Sequence, residues 1–239
     1  MDEAIFIRPI ARIRGDFSSR FGIPRQSGLA PSLLSEIVFE TAYRDENALR
    51  GLEGYSHIWL IWGFSESRRE TWLPMVKPPR LGGNRRMGVF ATRSPYRPNP
   101  LGLSCVRLEA IQKRPGLGSV LHVSGADLMD GTPIYDIKPY LAFTDSRPEA
   151  RQGFAGERLT DTLEVEIADA WLERLPPGKR AGLVEALRQD PRPAYQDDPD
   201  QRYGFAYAGF DVRFRVEGRL LRVVEITEAF ANGRKRHDG

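Results

Sequence analysis

Read for the alternation of apolar and polar positions, the first part of the chain breaks into many short apolar runs divided by turn residues. Ile5 to Ile13 alternates, Glu36 to Glu40 is a brief run, and Ile58 to Phe64 is continuously apolar at the length of a buried strand. Val89 to Thr92, Leu103 to Ile111 and Val120 to Ser124 follow, the last two joined by Lys113 to Ser119. Ile134 to Lys138 reads as a further strand in which Ile134, Asp136 and Lys138 alternate with Tyr135 and Ile137. Phe21 to Pro31 is a loop rich in glycine and proline, and Trp72 to Asn84 is a longer one carrying Pro74, Pro78, Pro79, Gly82 and Gly83. Asp45 to Leu52 predicts a helix with Asp45 as its cap. Many short strands separated by turn clusters predict a barrel or a sandwich. Alternating βαβ spacing and a GxGxxG fingerprint are both missing, which argues against a Rossmann-type nucleotide fold.

Past Thr144 the pattern changes. Thr144 to Thr160 is polar, with Pro148, Gly153 and Gly156, and reads as a linker. A second unit follows: a strand at Leu163 to Ile167, then a helix over Lys179 to Arg188 with Leu183, Val184 and Leu187 at helical spacing. Phe205 to Val216 and Leu220 to Glu228 read as two strands joined at Glu217-Gly218. The expected division is therefore 1–148 and 149–239: a mainly β unit and a small α+β unit.

Composition narrows the chemistry. The 239 residues are 41% hydrophobic, enough for a core, and no run approaches a membrane span. Met1-Asp2-Glu3 lacks the charged and apolar regions of a signal peptide, and Cys105 is the single cysteine, so a soluble cytoplasmic protein without intrachain disulfides is expected. Cys105 itself reads as a buried structural thiol. Three histidines (His57, His122, His237) and one cysteine cannot assemble a zinc cluster, and no metal is expected. The net charge of +3 is mild, but Arg68, Arg69, Lys77, Arg80, Arg85, Arg86, Arg93 and Arg97 gather with only Glu66 and Glu70 among them. Such clustering fits either a phosphate-rich partner or a solvated face.

Two segments carry the chemistry. Met87-Gly88-Val89-Phe90-Ala91-Thr92-Arg93-Ser94-Pro95-Tyr96-Arg97-Pro98-Asn99-Pro100-Leu101-Gly102 passes from an apolar strand into a loop stiffened by three prolines and bearing two arginines and an asparagine. Gly125-Ala126-Asp127-Leu128-Met129-Asp130-Gly131-Thr132-Pro133-Ile134-Tyr135-Asp136-Ile137-Lys138-Pro139-Tyr140 holds a strong Asp-Gly turn and then sets a carboxylate, Asp136, and a lysine, Lys138, along a strand. Charged groups are costly to bury unless paired, so that face is exposed, lines a site, or joins Asp136 and Lys138 in an ion pair.

Together these segments resemble the TsaA-like family, the TrmO-type tRNA methyltransferases. Further matching runs are Ile23-Pro24-Arg25-Gln26-Ser27-Gly28, Arg50-Gly51-Leu52-Glu53, Ser56-His57-Ile58-Trp59, Lys77-Pro78-Pro79-Arg80-Leu81-Gly82-Gly83-Asn84 and Asp190-Pro191-Arg192-Pro193-Ala194-Tyr195. The resemblance implies a β-barrel that binds S-adenosylmethionine, with a small C-terminal α+β domain that some members lack. It implies N6-methylation of threonylcarbamoyladenosine beside the anticodon of threonine tRNA, with the anticodon stem-loop as partner, and a homodimer. By resemblance the cofactor contacts fall on Gln26, Ser27, Gly28, Ser65, Glu66, Arg93, Leu103, Asp130, Gly131, Thr132 and Pro133; Ser65-Glu66 stands where the enterobacterial pattern has His-Gln. Arg93 suits the methionine carboxylate, Leu103 the adenine face, and the Asp130-Gly131-Thr132 turn offers backbone groups. Asp136 and Tyr140 are candidates for the proton acceptor. Lys138 and Arg97 suit the threonine carboxylate or phosphates, Asn99 the base, and Arg80, Arg85 and Arg86 the RNA. A competing reading is a regulatory module that binds S-adenosylmethionine without catalysis.

Overall fold

The computed structural model describes residues 5–65, 71–78, 85–158, 162–192, 198 and 200–229. In chain order the strands are β1 (Ala11–Arg14), β2 (Leu34–Phe39), β3 (His57–Gly63), β4 (Met75–Val76), β5 (Met87–Gly88), β6 (Leu101–Arg114), β7 (Gly118–Ser124) and β8 (Pro133–Pro139). After the short helix α1 (Ala142–Asp145) come β9 (Glu164–Glu166), α2 (Asp169–Leu172), α3 (Pro177–Arg188), β10 (Tyr203–Tyr207), β11 (Phe210–Glu217) and β12 (Leu220–Glu228).

The protein is mainly β, as the apolar pattern predicts. Six strands pair in the order β1-β2-β7-β6-β3-β8, and β8 pairs back onto β1, so the sheet closes into a ring. Every pairing in that ring is antiparallel. Alternation sends one side chain in two inward: Ile13, Ile37, Ile58, Leu60, Val106, Leu121, Val123 and Ile134 form a single core.

The second unit is a four-stranded sheet, β10-β11-β12-β9, with β9 parallel to β12. Helix α3 begins with Pro177 in its first turn, where the missing N–H costs nothing, and buries Leu183, Ala186 and Leu187 on the sheet. Three residues of the loop after β1, namely Phe17, Ala30 and Leu33, also belong to this core. Phe17 packs on Tyr207 with ring centres 5.3 Å apart. The loop is fixed further where Glu185 accepts from the backbone N–H and hydroxyl of Ser32, both at 2.7 Å.

Several elements depart from expectation. Ile5, Phe6 and Ile7 are exposed, and β1 starts only at Ala11. Asp45 does cap, accepting from Asn47 N–H at 2.9 Å, but the segment forms two 3-10 turns in place of a helix. Gly51, at φ 90°, reverses the chain between them. Val89–Ala91 is a 3-10 turn, leaving the two-residue β5 as the strand. The run expected as one strand from Phe205 to Val216 is a hairpin, because Ala208 and Gly209 both take positive φ and turn the chain between β10 and β11. Cys105 is half-buried.

Candidate active site

Where β3 runs out, four segments surround a cleft of about 320 Å³, within the range of small-molecule sites. Trp62, Phe64 and Ser65 come from the end of β3, and Arg20, Ile23 and Pro24 from the loop after β1. Pro95 comes from the first proline-braced motif, and Asp127, Met129 and Thr132 from the second. The two motifs thus face one cavity.

A chain of polar groups runs under the cleft floor. The indole N–H of Trp62 donates to Ser104 Oγ at 3.0 Å, and the Ser104 hydroxyl donates to Asp127 Oδ1 at 2.6 Å. Ser104 is buried, so without these partners its hydroxyl would carry a desolvation cost. Asp127 also accepts from the backbone N–H of Ser27 and lies near the Arg93 guanidinium. Burial nevertheless wins, and its carboxyl titrates above the ordinary aspartate range. Arg93 donates to Gln26 Oε1, and the Gln26 amide donates to the Arg25 carbonyl. Arg25 in turn donates to the carbonyls of Asp190 at 3.0 Å and Arg192 at 3.4 Å. The Asp190-Pro191-Arg192 motif therefore grips this loop from the second unit.

Of the expected cofactor residues, the structure gathers Gln26, Ser27 and Arg93 around Asp127, and sets Ser65 and Thr132 on the cleft wall. Gly28 lies behind them, donating to the Gly125 carbonyl at 2.9 Å, and Pro133 is buried at the start of β8. The Asp130-Gly131-Thr132 turn spends its amides on the fold: Asp130 N–H goes to Phe17, Gly131 N–H to Ile13 and Thr132 N–H to Met129. The Asp130 side chain accepts from Gly15 N–H at 3.1 Å and faces a separate cleft beside Lys179 and Asp16. Glu66 and Arg80 lie outside the described residues.

Leu103 and the three acceptor-side candidates occupy the outer surface of the ring. In the strand register Leu103, Ile61 and Asp136 form one row across β6, β3 and β8, and Cys105, Trp59 and Lys138 form the next. Leu103 is 54% exposed. Asp136 and Lys138 are the ion pair that was one of the readings of this strand, at 2.9 Å, and Asp136 also accepts from Ile137 N–H. Tyr140 packs its ring against Trp59 and His57. Asp145 accepts from Leu141 N–H at 3.0 Å and from the Trp59 indole at 2.8 Å, which lower its pKa in that order. Burial, then the Asp145 charge, raises that of Cys105. Since Trp62 turns to the cleft and Ile61 outward, β3 itself separates the two halves of the expected site.

Among the expected RNA contacts, Arg97 is half-buried and donates to the Thr92 carbonyl at 3.1 Å, bracing its own loop. Asn99, Arg85 and Arg86 are exposed. Exposed Trp72, just before β4, and Phe90, just after β5, stack on each other with ring centres 6.1 Å apart. Sequence reasoning passed over Asp127, Ser104 and Trp62. The available signal was a lone carboxylate between Ala126 and Leu128, in a stretch otherwise suited to burial.

Two family models match the chain: "tRNA-methyltransferase O N-terminal domain" over residues 12–146 and "TrmO C-terminal domain" over residues 161–229. The tRNA (adenine(37)-N6)-methyltransferase of Escherichia coli K12 is 41% identical over 215 residues, covering 87% of this chain and 91% of its own. A Methanothermobacter thermautotrophicus protein named "Probable S-adenosyl-L-methionine-binding protein" is 41% identical over 145 residues, 61% of this chain and 96% of its own. A crystal structure of TrmO from P. aeruginosa superposes with a TM-score of 0.78 at 33% identity, covering 95% of this chain and 99% of that one.

Proposed function

The chain belongs to the TrmO family, and from that premise we propose that it methylates N6 of adenosine 37 in tRNA, using S-adenosylmethionine and an adenosine that already carries a threonylcarbamoyl group. The observation that supports the cofactor reading is the cleft. Its two proline-braced loops, the Trp62–Phe64 pair with rings 4.5 Å apart, and the Arg93–Gln26 contact suit a nucleoside with a flat aromatic base and a zwitterionic tail.

When bound, S-adenosylmethionine supplies a methyl carbon on a sulfonium centre, an electrophile that needs no further activation. The chain's own work is to hold, align and remove a proton. Arg93, oriented by Gln26, binds the methionine carboxylate through charge-assisted hydrogen bonds. The N6 lone pair is delocalised into the purine and the carbamoyl group, so proton removal assists its attack. Asp136 accepts that proton, Lys138 pairs with the substrate's threonine carboxylate, and Tyr140 walls the acceptor. Arg85, Arg86 and Asn99 meet the anticodon stem-loop, whose unpaired bases are open to readout. Residues 1–148 carry the chemistry, and 149–239 support it by anchoring the loop that carries Gln26.

Because β3 divides the cleft from the acceptor face, the working unit in this reading is a homodimer. The outer face of one copy, with exposed Leu101 and Leu103, seats at the mouth of the other copy's cleft. The test uses labelled cofactor with tRNA that carries or lacks the threonylcarbamoyl group. Label in the modified tRNA alone is expected; label in unmodified tRNA refutes the acceptor, and binding without transfer favours a regulator. Mixing inactive Arg93→Ala and Asp136→Asn chains should restore part of the activity, and no restoration refutes the shared site.

A further inference from the structure

Asp127 is the one carboxylate among the described residues that line the cleft. It stands beside Trp62 and Phe64, whose rings meet edge to face. Its position is fixed from two sides: by Ser27 N–H, and by the Ser104 hydroxyl, which the Trp62 indole holds in turn. A carboxylate beside aromatic rings in a partly dry cleft is the chemistry that selects a cation lacking N–H donors, as with quaternary ammonium groups. Of the cofactor and its product, only the cofactor carries such a centre. S-adenosylmethionine is a sulfonium; S-adenosylhomocysteine is the same molecule with a neutral thioether.

We infer that Asp127, with Trp62 and Phe64, is the charge-selective element of the cleft, holding the sulfonium of the methyl donor and releasing the neutral product. This inference rests on the methyltransferase reading of the cleft. It gives Ser104 a purpose: the hydroxyl keeps the carboxylate directed at the rings. Burial raises the Asp127 pKa because its charge is poorly solvated, and an arriving cation offsets part of that cost. Arg93 and Arg20 face the same region and suit the carboxylate of the amino-acid tail, which donor and product share. The selection therefore falls on sulfur alone, and loss of the sulfonium charge in the reaction weakens binding when release is needed.

Calorimetric titration of each molecule into the wild-type protein and the Asp127→Asn variant tests this. Asparagine keeps the shape and can still accept from Ser104, so the main change is the loss of the charge. The expected result is a fall of about tenfold or more in affinity for S-adenosylmethionine, with a change of less than about twofold for S-adenosylhomocysteine. Equal weakening of both, or of neither, overturns the inference. If the variant does not fold, the wild-type protein suffices. The affinity ratio of donor to product should fall as pH is lowered far enough to protonate Asp127, followed by the NMR signal of its carboxyl carbon, because the side chain becomes neutral while Arg93 and Arg20 keep their charge. A ratio that stays flat while that signal titrates overturns the inference with no mutation at all. A wild-type protein that binds neither molecule would remove the methyltransferase reading itself, an outcome distinct from the others.

Discussion

Replacing Gly102 with alanine strikes the cleft from within the wall of the ring. Gly102 lies in β6 directly opposite Trp62 in β3. A Cβ built there would sit 2.3 Å from Trp62 Cε2 and 2.4 Å from Cζ2. Carbon pairs settle at about 3.5–4.0 Å, so the indole must shift by roughly 1 Å or more. It has little room, being 9% exposed and held by Ser104 at 3.0 Å and by Phe64 at 4.5 Å between ring centres. Overpacking of this kind costs about 1–3 kcal/mol. Losing the indole hydrogen bond adds about 0.5–1.5 kcal/mol. A total near 2–4 kcal/mol corresponds to a fall in Tm of roughly 4–16 °C for a chain of this size. The control is Gly88→Ala, where φ is −58° and an added Cβ meets nothing within 4 Å. Alanine there should stabilise by about 0.4–1 kcal/mol, since it only narrows the unfolded ensemble. Thermal melts followed by circular dichroism and tryptophan fluorescence measure both. Indistinguishable Tm values for the two variants would show that the indole moves freely, and the argument for a rigid cleft wall would fail.

Other outcomes follow from the same geometry. Arg93→Ala should weaken S-adenosylmethionine binding by roughly 1.5–3 kcal/mol; unchanged affinity in calorimetry removes Arg93 from the site. Glu185→Ala should destabilise by about 1.5–3 kcal/mol, because two Ser32 donors lose a charged acceptor; a urea midpoint equal to wild type contradicts this. The Tyr207 phenol is raised well above its usual pKa, burial first and then the charges of Asp16 and Glu185, so the stability it lends is whole below pH 10 and is lost as pH climbs towards the folded value. Tyr207→Phe should therefore flatten the alkaline limb of the stability curve, and an unchanged limb refutes the assignment. Cys105 should alkylate more slowly than a free thiol at pH 8, and Asp145→Asn should speed it by removing a charge that raises the thiol pKa. Equal rates in the two proteins would count against that electrostatic contact.

How much was legible in the sequence depended on the range of the interactions. Ile58 to Phe64, Leu220 to Glu228 and the α3 helix were readable because their periodicity is local and matches what each buries. The Ala208-Gly209 hairpin was not, since an alanine at positive φ leaves no mark in the apolar pattern. Gln26, Ser27 and Arg93 were placed by family likeness, and the structure sets them around one carboxylate. Asp127 itself escaped notice because its meaning lies in Ser104 and Trp62, 23 and 65 residues away along the chain. Nor could alternation alone say that Leu103 and Asp136 share a row on the side of β3 away from Trp62. That is a matter of strand pairing, which no single segment encodes.

The loop after β1 owes its burial to the strands of the second unit, through Phe17, Ala30 and Leu33. The same loop gives the cleft its Arg20, Ile23 and Pro24. A ribosome delivers those residues well before their cover. Until β10 to β12 have left the exit tunnel the loop lacks the aromatic face it packs on, so this wall of the cleft takes its final shape only after the second unit has folded.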